Sequence, residues 1–86
     1  MQTTFTYSQN TLSGTIKNKT THEVLPGALI YFPDLKSAVI SDAEGKYVVS
    51  KLPKIKTLIQ VKLLGYKTVV QSVDLSTTQQ LDFELE

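Results

Sequence analysis

The amino-acid sequence predicts an all-β domain, a sandwich of seven short, half-buried antiparallel strands. Three observations lead there. Apolar and polar residues alternate with period two through most of the chain. Turn-forming residues recur at roughly eight- to twelve-residue spacing, as expected for a sandwich. No stretch carries a convincing helical apolar stripe.

The elements follow in order. Residues 1–10 (MQTTFTYSQN) are polar and weakly patterned and read as a flexible lead-in, so the domain spans 11–86. "TLSGTIK" sets Leu12, Gly14 and Ile16 against Ser13, Thr15 and Lys17. "GALIYF", 27–32, is apolar on both faces and reads as a central strand. Short strands are expected at 38–41, 46–50 and 67–73. "TLIQVKLLGYK" puts Ile59, Val61 and Leu63 on one face, with Gln60 and Lys62 on the other. "QLDFELE" does the same with Leu81, Phe83 and Leu85 against Asp82, Glu84 and Glu86.

The bulk numbers narrow the chemistry. At 86 residues and 41% hydrophobic, the chain supports one domain with one core. The absence of cysteine excludes disulfides, thiolate metal sites and a thiol nucleophile. Net charge is +1, which gives no push toward nucleic acid or membrane. All nine basic residues are lysine, so no guanidinium fork exists for phosphate or guanine. No apolar run reaches the ~20 residues of a membrane span.

Several residues raise a functional question. In "SDAEGKY", Asp42 and Glu44 could be half of a calcium loop, but no third carboxylate follows until Asp74. A tight turn explains them better: Asp42 bonds the backbone two residues on, and Gly45 takes positive φ. His22 is the single histidine, in the polar stretch "NKTTHEVLPG", with no second ligand in view. Asn18-Lys19-Thr20 is a glycosylation sequon, relevant only to a eukaryotic secreted chain. Tyr31, Tyr47 and Tyr66 could form a sugar-stacking face, although strand tyrosines more often join the core. From Lys51 to Lys67 there are five lysines and no acid, and from Asp74 to Glu86 four acids and no base. Lys54, Lys56 and Lys62 are therefore a candidate partner surface, against the plainer reading of cross-strand charge pairs. No catalytic, cofactor or metal set emerges.

Taken together, four motifs resemble the carboxypeptidase regulatory-like domain, a transthyretin-like (prealbumin-like) sandwich. They are Gly14-Thr15-Ile16, Leu25-Pro26-Gly27-Ala28, the Asp42/Gly45/Tyr47 turn and Gly65-Tyr66-Lys67. The likeness covers about residues 12 to 86. One departure lies at Thr21-His22-Glu23-Val24, where the family often has a glycine. The resemblance implies a seven-stranded antiparallel Greek-key sandwich, with structural turns at Gly27, Asp42, Gly45 and Gly65. It supplies no catalytic residues. It also implies a context, the N-terminal extension of Bacteroidetes SusC-like TonB-dependent outer-membrane receptors. From that follow a periplasmic location, a signal peptide already removed ahead of Gln2, and nutrient (glycan) uptake as the setting. The expected partners are envelope proteins or the receptor's own plug and barrel, with no nucleic acid and no membrane insertion. A cell-surface carbohydrate- or matrix-binding module is the alternative expectation, and a small hydrolase using His22 the weaker one.

Overall fold

The computed structural model describes residues 9–86. Along the described residues run β1 (Gln9–Asn18), β2 (Leu29–Phe32), β3 (Ser37–Ile40), β4 (Lys46–Pro53), β5 (Lys56–Lys62), β6 (Val69–Asp74) and β7 (Phe83–Leu85), with no helix. The first sheet is ordered β4-β1-β7 and the second β3-β2-β5-β6. β1 begins at Gln9, two residues inside the stretch expected as a lead-in; the remainder of that stretch lies outside the described residues.

The inner faces of the two sheets meet in one apolar core. Leu12 and Ile16 come from β1, Ile30 and Phe32 from β2, and Ile59 and Val61 from β5, all fully buried. β2 is interior to its sheet, between β3 and β5, as its two-sided apolar pattern implied. Leu63 packs against the core but is only partly buried, because β5 ends at Lys62.

Two features depart from the expected pattern. The first is β4, which runs to Pro53 rather than stopping at 50. Asn10 faces Leu52 while Leu12 faces Val49, so β4 carries one extra residue opposite β1. Lys51 takes up that extra residue in a left-handed conformation, φ 61°. Ser50 and Lys51 both face solvent, and the reset phase returns Leu52 to the core at 2% exposure. Without the bulge, Leu52 would point outward.

The second departure corrects the expectation of antiparallel pairing throughout. β7 runs parallel to β1, with Ile16 opposite Phe83, Lys17 opposite Glu84 and Asn18 opposite Leu85. The cause is where the chain re-enters the first sheet. After β6, Leu75 lies beside the start of β1, where its carbonyl accepts the Asn10 side-chain amide at 2.5 Å. A segment entering at that end can only travel in the direction of β1. Alternation reports which face is buried but carries no information about direction.

The register of β5 makes a direct test. Val61 is fully buried and Lys62 exposed. Val61→Ala is expected to cost about 1–3 kcal/mol in urea denaturation, through lost methyl burial and a residual cavity. Lys62→Ala is expected to stay within about 0.5 kcal/mol. The reverse order would mean that the strand is slipped by one residue.

Candidate functional site

The Asp42–Gly45 segment is the corner at which the chain leaves the second sheet for the first. Asp42 Oδ1 accepts the backbone N–H of Glu44 and of Lys46, both at 2.9 Å. The Asp42 carbonyl accepts Gly45 N–H at 2.9 Å, and Asp42 N–H donates to the Lys46 carbonyl at 2.8 Å. The carboxylate thus caps the turn, while Glu44 stays exposed. Gly45 sits at φ 73° and is buried, and its carbonyl accepts Ile16 N–H at 2.7 Å. A Cβ there would lie 2.8 Å from the Ile16 carbonyl oxygen and 2.9 Å from Val24 Cβ. Both dihedral and space call for glycine.

Ser41, next to this corner, was not singled out from the sequence. Its buried Oγ donates to the Leu25 carbonyl at 2.7 Å and accepts Ala28 N–H at 2.9 Å. Its backbone N–H donates to the Ala28 carbonyl, and its carbonyl accepts Gly27 N–H. The Leu25–Ala28 loop is therefore pinned to the corner through one serine. A serine ending a strand carries no distinctive signal.

The third cluster closes the first sheet. Gly14 is buried beneath the chain leading into β7. A Cβ at Gly14 would fall 1.9 Å from the Leu81 carbonyl oxygen, so no other residue fits without displacing that backbone. The Tyr47 hydroxyl donates to the same carbonyl. Thr15 N–H instead finds Asp82 Oδ1 at 2.8 Å, a side-chain substitute within the ladder. Burial first, and the Asp82 charge second, raise the pKa of the Tyr47 phenol well above its ordinary value near 10.

Other candidates are dispersed. Tyr47 is 2% exposed and packs obliquely on Phe83, with ring centroids 6.3 Å apart, so it cannot share a sugar platform with Tyr31 and Tyr66. Tyr66 accepts a hydrogen bond from Asn18 Nδ2 at 3.1 Å, and Asn18 Oδ1 caps the N–H groups of Thr20 and Thr21. The sequon asparagine is thereby committed to a turn. His22 is exposed at φ 64° in that turn. Gly27 (φ 79°) and Gly65 (φ 91°) occupy exposed turns with open space around them. Lys56 and Lys62 share the outer face of β5 but stand six residues apart, roughly 20 Å. Lys54 is in the preceding turn, and Lys56 faces Asp74 across the ladder. The three lysines do not form one patch. Among the described residues no three metal-capable side chains converge.

The family model for the CarboxypepD_reg-like domain matches residues 12–86. The chain belongs to that family. No curated protein matches it at a significant level. As a CarboxypepD_reg-like domain, the chain uses its four motifs for closure: Gly14 under β7, Gly27 and Ala28 on Ser41, Asp42 and Gly45 at the corner, and Tyr66 on Asn18.

Gly45→Val is expected to destabilise by about 1–3 kcal/mol, from backbone strain plus displacement of Val24, and calcium is expected to leave the melting temperature unchanged. A midpoint equal to wild type would contradict the corner as described. Tyr47→Phe leaves the Leu81 carbonyl without its donor and is expected to cost about 1–3 kcal/mol at pH 7. The pH dependence has a definite sign. The folded state holds the phenol neutral, while the unfolded tyrosine ionises near pH 10. Wild-type stability should therefore fall as pH rises above about 10, more steeply than that of Tyr47→Phe. Parallel alkaline profiles for the two proteins would remove the buried phenol as the cause.

Proposed function

We propose that this CarboxypepD_reg-like domain is a non-catalytic accessory module. Its setting would be the N-terminal extension of a SusC-like TonB-dependent outer-membrane receptor, folded in the periplasm of a Bacteroidetes species. It takes the prealbumin-like Greek-key arrangement of that group. Its role is to present surface to envelope proteins or to the receptor's own plug and barrel during glycan uptake.

One observation carries this reading. The polar side chains in the family motifs, or bonded to them, serve the fold: Asp42 caps a corner, Ser41 pins the Leu25–Ala28 loop, and Asn18, bonded to Tyr66, caps a turn. Among the described residues, every buried side-chain nitrogen or oxygen has a hydrogen-bond partner, so none is held in reserve and aimed at a substrate. The carbohydrate-binding alternative is weakened because its tyrosine platform loses Tyr47.

The test starts from the coding sequence that follows Glu86. An in-frame plug and barrel is expected there, and a peptidase or other catalytic domain would overturn the receptor setting. In a receptor of that architecture, in-frame deletion of residues 12–86 should slow growth on the transported glycan while leaving the amount of barrel in the outer membrane unchanged. Growth and glycan uptake equal to wild type would remove the accessory role.

A further inference from the structure

The second sheet ends in β6, and this edge is unlike the other three. β4 carries a bulge, Lys46 and Lys51, and ends at Pro53. β7 is three residues long, carries Glu84 and is bracketed by Asp82 and Glu86. β3 is only four residues long. Each has one of the devices that discourage edge pairing. β6 reads VVQSVD over six residues, with neither lysine, proline nor bulge. Among the described residues nothing is ordered beyond it in the sheet.

The free backbone groups of β6 have a fixed phase. Leu75 N–H donates to the Ile55 carbonyl at 2.9 Å, in line with the β5–β6 register. Bonded pairs alternate along an antiparallel ladder, so Val73, Gln71 and Val69 turn their amides toward β5. Val70 and Ser72 turn theirs outward. Their side chains lie on the exposed face, with Val70 54% exposed and Leu58 of the neighbouring strand 42% exposed.

We propose that β6 is a self-association edge, joining a second copy of this chain antiparallel across a two-fold axis. Three features of β6 select a second copy. A two-fold axis normal to the sheet keeps outer faces together and pairs Val70 with the second copy's Ser72, which matches outward amides at both positions. Four backbone hydrogen bonds result. The same symmetry makes the two Val70 side chains diagonal neighbours at roughly 7–8 Å, within mutual reach on the outer face. It also brings Lys67, just before β6, toward the Asp74 end of the other copy, whose carboxylate already accepts from Ser76 and has Lys56 opposite, whereas parallel addition would join like ends. The second copy's Gln71 then lies directly opposite Gln71. The inference does not depend on the receptor setting proposed above.

The chain has no cysteine, so single-cysteine variants report the register cleanly. Gln71→Cys falls at a non-bonded pair with Cα atoms about 4.5 Å apart, within disulfide range. Ser72→Cys is offset by two residues from its symmetry mate, about 8–9 Å, outside that range. Under mild oxidation Gln71→Cys should give a disulfide dimer many-fold faster than Ser72→Cys. Sedimentation of the unmodified chain over a rising concentration series should show a monomer–dimer equilibrium. Ser72→Pro removes an outward N–H without breaking the β5–β6 ladder and should shift the protein to monomer. Val70→Lys should do the same by making two lysines diagonal neighbours across the axis, so a folded monomer from either variant supports the edge. Sedimentation as a monomer at all concentrations, a dimer that survives in a folded edge variant, or faster cross-linking at position 72 would each overturn the proposal.

Discussion

The fold depends on one close crossing. The Leu81 carbonyl oxygen lies where any side chain at position 14 would place its Cβ, and Tyr47 holds it there. With that carbonyl turned out of the ladder, Thr15 N–H would lose its acceptor, and Asp82 supplies one from its side chain. The arrangement delivers β7 to the open side of β1, where Phe83 and Leu85 enter the core at 4% and 0% exposure. Burial of two such side chains contributes about 1.5–3 kcal/mol each. A side chain at Gly14 would lift the approach to β7 away from β1, and both anchors with it.

Seven strands were legible in the sequence, and so were the buried faces of β1, β5 and β7, because period two needs only local pattern. Ile59 and Val61 could be assigned inward from their own neighbours. The features that were not legible depend on distant residues. The β4 bulge breaks the alternation between Val49 and Leu52, and a broken alternation looks like a strand end unless the partner strand is known. Parallel pairing of β7 depends on where residue 75 lies relative to Asn10, 65 positions away in the chain. Gly14 looked like an ordinary strand glycine, since its requirement comes from a backbone more than sixty residues downstream.

The local turn chemistry at Asp42 and Gly45 was equally legible, for the same reason. An aspartate capping N–H groups two and four residues ahead leaves its signature within one short segment. Ser41 left no such signature, because its partners at Leu25 and Ala28 come from an earlier loop. The pattern that first suggested half of a calcium loop is resolved by its hydrogen bonds. A carboxylate oxygen already accepting two backbone N–H groups is occupied by the fold, and its exposed neighbour Glu44 has no converging ligand among the described residues.

Electrostatics adds the remaining constraint on how such a domain meets another molecule. The lysines from 51 to 67 look like a basic run in the sequence, yet the bulge, the turn and the two ends of β5 scatter them over both sheets. Exposed charges separated by about 20 Å lie beyond the ~8–10 Å screening length of ordinary salt, so they do not sum to a single field. A diffuse surface of this kind offers little orientational preference to a charged partner. Backbone groups along a sheet edge are different: their direction is fixed by the ladder behind them, and their strength does not depend on ionic strength. On a domain whose motif side chains are committed to its own closure, fixed backbone geometry is the more specific means of recognition.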